Sequence, residues 1–233
     1  MQNQIVNQTR CIVRSYTLTE YMTEQEQIEQ LKNWVKQYGL TIIAGILMAM
    51  IMISGWHAWQ RYQNKTLLHA SGVYDEMLSY KTQNNAAGAV LQANKLLTHY
   101  PKTPYAQMAA FLLSRDFVVN KQYPEAIKQL TWVLNHSNNS PIIAIAKIRI
   151  ARIQLAQGKP EEVFKTLNSV EDKSFSGMID EVRGDAYLSM NNSNKAKEAY
   201  RLALQDLPSD EAARKPILQM KVDNLANASD AIA

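Results

Sequence analysis

Charged residues vanish from one stretch of this chain and return with a regular beat afterwards. Between Lys36 and Arg61 there is no Asp, Glu, Lys or Arg, and residues 40–59 read LTIIAGILMAMIMISGWHAW. At about 1.5 Å per residue, some 20 helical residues cross the roughly 30 Å hydrocarbon layer of a bilayer. Trp34 and Tyr38 precede the run, and Trp56, Trp59 and Tyr62 close it, which is where an interfacial aromatic belt lies. The pattern predicts a single transmembrane helix over 40–59.

Two other readings compete. A buried core helix of this length carries polar positions around its circumference, whereas this one offers only Thr41 and Ser54 before its end. A cleaved signal peptide needs a small-residue cleavage site, but the run ends in Trp56-His57-Ala58-Trp59. His57, the one ionisable group, lies close enough to the end of the span to reach interfacial water. Lys32 and Lys36 on one side balance Arg61 and Lys65 on the other, so the positive-inside rule leaves the orientation tied.

Ahead of the span, Thr23-Glu24-Gln25-Glu26 has the form of a capping box, followed by Ile28, Leu31, Val35 and Tyr38 at helical spacing. An N-terminal arm of residues 1–39 therefore leads into the membrane as an amphipathic helix. Residues 1–21 lack this logic and read as an upstream extension, with Met22 the more natural start.

Beyond the span the pattern repeats. Gly184, Tyr187, Ala196, Tyr200, Ala203 and Pro208 follow the small, aromatic and proline spacing of a tetratricopeptide unit. Stepping back 33 residues gives Ala151, Val163, Leu167 and Val170. A further 37 gives Ser114, Phe117, Ala126, Leu130 and Val133, and another 37 gives Met77, Tyr80, Ala89, Ala93, Leu96 and Pro101. Small residues let the two helices of a hairpin approach, and the larger ones fill the space between hairpins. Prolines at 104, 124, 141 and 160 sit where a first helical turn accepts them. The predicted fold is all-α, with helix pairs 66–83/86–99, 104–120/124–136, 141–157/160–170 and 176–190/194–206, then a capping helix near 210–226. The solenoid occupies 62–228, and its linkers are too short to mark a domain boundary.

Composition agrees with this and narrows the chemistry. Eight glycines and seven prolines in 233 residues are few for an all-β chain, and the single cysteine, Cys11, allows no internal disulfide and no Cys-rich zinc site. The net charge of +4 belongs to the repeats, because the cations and acids before the span cancel. Those charges are scattered, and the densest group, Lys147, Arg149 and Arg152, has no interleaved aromatics, which argues against nucleic acid. No phosphate loop, nucleophile elbow, zinc helix or calcium loop is present. His99 and His136 stand one repeat apart, with Lys173 in the next unit, and read as cations at helix C-termini rather than metal ligands. The acidic pairs Glu161-Glu162, Glu171-Asp172 and Asp180-Glu181 read as solvated surface. The expectation is a non-enzyme without cofactor or metal.

In a solenoid the first helix of each pair lines the binding face. The repeat register places Tyr74, Met108, Phe111, Ile145, Ile148 and Leu155 there, with Arg115 and Arg152 beside them. Such a groove suits an apolar or amphipathic partner segment, its carboxylates paired with the arginines. Packing of these aliphatics against the next repeat or the capping helix is the alternative.

The arm Met22-Thr23-Glu24-Gln25-Glu26-Gln27, the anchor ending in Gly55-Trp56, Ile150-Ala151-Arg152, residues 181–188 (EVRGDAYL) and the closing residues 219–225 (QMKVDNL) together resemble the bacterial YfgM family, the ancillary subunit of the Sec translocon. The likeness covers about 22–226. It implies a single-pass inner-membrane protein with a cytoplasmic N-terminus and a periplasmic repeat domain. It further implies association with the SecYEG channel and the periplasmic chaperone PpiD, hand-over of exported client proteins to folding factors, and a link to envelope-stress regulation. No catalytic residue is implied. A membrane-anchored repeat scaffold for cell-envelope or division complexes has the same pattern and is the competing function.

Overall fold

The computed structural model describes residues 24–207 and 213–230. The extension read at 1–21 and the capping Thr23 lie outside these residues. Nine α-helices are formed among the described residues, and the chain divides into two compact units, one up to Gln63 and one from Asn64.

Helix α1 runs unbroken over Glu24–Thr82. A separate anchor and first repeat helix were expected, but the residues between them, Gln60-Arg61-Tyr62-Gln63-Asn64-Lys65, include neither glycine nor proline to stop the helix. Within the first unit its apolar stretch is uncovered: Leu40 is 81% and Ile51 72% exposed. A helix buried within that unit would not show this exposure. Among the described residues this is the one helix long and apolar enough to cross a membrane. Trp34 and Tyr38 pair at 6.0 Å before the stretch, and Trp56 and Trp59 at 5.4 Å at its end.

The second unit continues from the last part of α1 through α2 (Ala86–His99), α3 (Pro104–Val119), α4 (Tyr123–His136), α5 (Ser140–Ala156), α6 (Pro160–Asn168), α7 (Ser176–Ser189), α8 (Ser193–Gln205) and α9 (Lys215–Asp230). From α2 onward each helix packs on the next, and α5 also packs on α7, as in stacked hairpins. One apolar cluster joins α1 to α5 through Met77, Leu96, Leu113 and Leu130. A second joins α5, α6 and α7 through Ile148, Leu167 and Val182, and a third seats α9 on the last hairpin through Tyr200 and Leu218.

Each hairpin turns in the same way. Asn84, Lys121, Gly158 and Asn191 take left-handed backbone angles (φ 55–75°), and they stand 37, 37 and 33 residues apart. The following amide of Asn85, Gln122, Lys159 and Asn192 donates back to the carbonyl of Tyr80, Phe117, Gln154 and Tyr187 at 2.8–3.0 Å. That is the Schellman arrangement, which satisfies carbonyls left over at the helix end. The periods read from side chains are thus also those of the backbone. Asn85, Thr103, Asn139 and Asn192 then cap the next helices through their side-chain oxygens.

At the crossing inside each hairpin the side chains are matched in size. Met77 meets the register of Ala93, Ser114 that of Leu130, Ala151 that of Leu167, and Gly184 that of Tyr200; Gly184 is buried and the other seven are no more than 3% exposed. As the first member shrinks the second grows, which holds the packing density while the sequence varies.

Two boundaries differ from expectation. Helix α6 ends at Asn168, and Lys173 begins a separate 3-10 turn, Lys173–Phe175, whose start is capped by the Asp172 carboxylate. Lys173 is therefore no helix-end cation, unlike His99 and His136, which do occupy last turns. The capping helix is described from Lys215, with Pro216 in its first turn.

Candidate partner-binding groove

The first helices of the hairpins bring equivalent residues into columns. One column holds Met108, Ile145 and Met178; another Tyr74, Phe111, Ile148 and Glu181; a third Leu78, Arg115, Arg152 and Asp185. Residues one and two turns apart share a helix face, so these columns lie side by side.

The predicted groove residues do not all reach the surface. Met108 is exposed, Phe111 and Ile145 are half-buried, and Arg115 and Arg152 are exposed. Ile148 is 2% exposed and belongs to the second core cluster, because α7 crosses α5 at that point and Val182 and Ile179 cover it. Tyr74 is 9% exposed, its ring 5.7 Å from that of Tyr105. Leu155 is partly buried against the second cluster. The register placed these three on the right helices, and neighbour packing removed them from the open face.

Three cavities lie along what remains. The first, about 720 Å³, lies between Lys81, Val90, Leu113, Arg115 and Phe117. The second, about 330 Å³, is lined by Ser114, Arg115, Val118, Arg149, Arg152 and Ile153. The third, about 580 Å³, is bounded by Arg152, Met178, Glu181, Asp185 and Arg214. Arg115 lines the first two and Arg152 the last two, so the cavities make a row across α3, α5 and α7, a trough whose neighbouring sections share an arginine wall.

Arg149 is the groove residue that the sequence reading missed. Its guanidinium carbon sits 4.7 Å from the centre of the Phe111 ring, so the aromatic partner lacking on its own helix is supplied by α3. Burial, followed by the charges of Arg152 and Arg115, lowers its proton affinity from the ordinary arginine value. Three guanidinium groups thus share one small cavity with an apolar floor. The signal in the sequence was the three-residue spacing of Arg149 and Arg152, which puts both on one side of α5.

The acid pair Asp180-Glu181 is not solvated surface, contrary to expectation. Asp180 is 9% exposed and accepts from Arg183 at 2.9 Å. Glu181 accepts from Lys221 at 3.0 Å and from Arg214, and lies 3.6 Å from Arg152. Burial pushes the Glu181 carboxyl upward, but the Lys221 hydrogen bond and the charges of Lys221, Arg214 and Arg152 outweigh it and hold the group below the usual glutamate range. Lys221 also donates to Asp185 at 2.7 Å, and Asp185 accepts from the Tyr200 hydroxyl at 2.7 Å. Glu161 and Glu162, by contrast, stand exposed in the first turn of α6. The contacts from α9 could not be read from local spacing, since Lys221 lies 40 residues from Glu181.

Among the described residues no cluster of His, Cys, Asp and Glu is arranged to hold a metal ion. The trough offers forked cationic donors beside apolar surface.

The sequence matches a family described as tetratricopeptide repeat-like domain over residues 32–227. It is 27% identical over 207 residues to the ancillary SecYEG translocon subunit of Haemophilus influenzae, covering 87% of this chain and 97% of that protein. The protein of the same name from Escherichia coli is 24% identical over 206 residues, 88% of this chain and 98% of its own. That from Neisseria gonorrhoeae is 27% identical over 210 residues, 89% of this chain and all of its own. The resemblance drawn from the arm, repeats and closing residues holds over nearly the full length.

Proposed function

Because this chain belongs to the tetratricopeptide repeat-like domain family, we propose that it is a non-catalytic, membrane-anchored ancillary subunit of the Sec translocon. The observation that carries the reading is end-to-end similarity to proteins of that name, anchor region included. The apolar part of α1 spans the inner membrane with its N-terminus in the cytoplasm, and the repeats stand in the periplasm beside SecYEG. There the trough lined by Arg115, Arg149 and Arg152, with Met108, Phe111 and Ile145 on the same helices, engages a partner segment, with the chaperone PpiD and emerging client chains as its counterparts. Passing exported proteins to periplasmic folding factors is the resulting activity, with envelope-stress regulation following from it.

Purification of the native protein in mild detergent, with its companions identified by mass spectrometry, tests this. SecY, SecE or SecG and PpiD are expected among them. Division or cell-wall proteins recovered without any Sec component would replace the translocon reading by that of an envelope scaffold. Orientation is checked separately: protease added to spheroplasts is expected to degrade the repeats, and full protection would reverse the topology.

A further inference from the structure

We infer that Arg115, Arg149 and Arg152 form a carboxylate-binding subsite, and that its occupant is an extended acidic segment of a partner protein with apolar side chains between the carboxylates. The inference rests on the partner-binding reading above and supplies the ligand chemistry for it.

The first support is charge. Six cations, Lys81, Arg115, Arg149, Arg152, Arg214 and Lys221, stand along the trough or at its ends with three carboxylates, Asp116, Glu181 and Asp185. Those carboxylates are already engaged. Asp116 is bonded to Lys81 and lies 3.8 Å from Arg115; Glu181 is taken by Arg214 and Lys221; Asp185 holds Lys221 and the Tyr200 hydroxyl. Arg149 forms no ion pair among the described residues. Arg152 reaches toward Glu181 only at 3.6 Å, longer than a direct hydrogen bond. The middle of the trough therefore keeps an excess of positive charge that an added carboxylate relieves.

The second support is shape. The Arg149 guanidinium carbon lies over the Phe111 ring, and the group makes no side-chain hydrogen bond among the described residues, so its N–H groups are available for a two-pronged contact with a carboxylate. Ser114, Val118 and Ile153 line the same cavity and place apolar surface beside the guanidinium groups. A row of cavities across three helices fits a length of chain better than a compact anion. Exposed Met108 and half-buried Ile145 sit where a purely ionic ligand would leave apolar surface uncovered. Nucleic acid is disfavoured, since the aromatic face that a base would stack on is covered by Arg149.

The test is a fluorescence-anisotropy titration of the full chain in detergent micelles with a labelled peptide alternating Glu and Leu, beside its Gln-Leu counterpart. The Glu peptide is expected to bind at least about tenfold more tightly, and R115Q and R149Q are each expected to weaken it about tenfold. Helix content and melting temperature of both variants should match wild type; R115Q, at an exposed position on a different helix, keeps the test open if R149Q folds poorly. Equal affinity for both peptides, or wild-type affinity in well-folded arginine variants, overturns the subsite. So does arginine-dependent binding of phosphatidylglycerol vesicles without peptide binding, which would make the cluster a lipid contact. Sec components retained while the arginine dependence is absent defeat the subsite alone; the expected titration with no Sec component retained defeats the translocon reading alone.

Discussion

The ring of Tyr200 fills the space that a β-carbon on Gly184 would need, its ring carbons lying well inside van der Waals contact of that position. In the repeat register Ala151 stands where Gly184 does and Leu167 where Tyr200 does, and in the first hairpin these places hold Met77 and Ala93, all of them buried. Gly184→Ala is therefore expected to destabilise the repeats by about 1–3 kcal/mol through overpacking. Adding Tyr200→Leu, which copies the third hairpin, should return part of that loss despite the lost hydroxyl bond to Asp185. A double-mutant cycle by urea unfolding checks it, and additive effects would show that the two residues do not compete for space.

Gly158 isolates the backbone contribution of the hairpin turns. Its φ is +75°, and a β-carbon there would meet nothing within 4 Å. Gly158→Ala is thus expected to lose about 1 kcal/mol from left-handed strain alone. Ala tolerates the other three turns no better, but Asn and Lys already occupy them, so Asn191→Ala should lose less than Gly158→Ala. Thermal unfolding of the two variants side by side measures the difference.

The charged cluster under α9 makes stability depend on pH in a definite sense. With the folded Glu181 carboxyl held below its ordinary value, the unfolded chain takes up that proton first as pH falls. Its contribution is therefore complete above the ordinary glutamate range and is lost as pH drops through the folded value. Melting temperature should fall on acidification below about pH 5, and Glu181→Gln should both lower the neutral value and flatten this acid limb. Tyr200 behaves oppositely: burial first, then the bond to Asp185, raise its hydroxyl so far that the folded chain keeps a proton the unfolded chain gives up. Stability should decline above about pH 10, and Tyr200→Phe should lessen that decline.

A fragment beginning at residue 62 is expected to be soluble, helical and cooperative in unfolding. The second unit starts at Asn64 and contains all three apolar clusters, and a domain of this size buries roughly 70% of its unfolded surface. Circular dichroism and gel filtration test this, and aggregation would mean that residues before 62 cover apolar surface of the repeats. The full chain, conversely, should remain in the membrane pellet after alkaline extraction, because its anchor window is uncovered by protein.

Local pattern was enough for the elements. Absence of charge over 40–59, the 37, 37 and 33 spacing and the prolines located the anchor, the four hairpins and their turns, because helix period and turn chemistry act over a few residues. The same register proposed Tyr74, Met108, Phe111, Arg115, Ile145, Ile148 and Arg152 as groove residues. It misjudged Ile148 and Tyr74, since exposure on a solenoid face depends on which neighbouring helix crosses there.

What the sequence by itself determined is an apolar span followed by an all-helical repeat, since both rest on periodicity, length and charge along one chain. Only the tertiary structure decided that Arg149 lies on Phe111, that Glu181 is clamped by Arg214 and Lys221, and that Arg115 and Arg152 each line two neighbouring cavities. Those contacts join side chains some 30 to 40 residues apart. Coulomb attraction and ring stacking between them act through space, at distances that no spacing along the chain encodes until the helices have stacked.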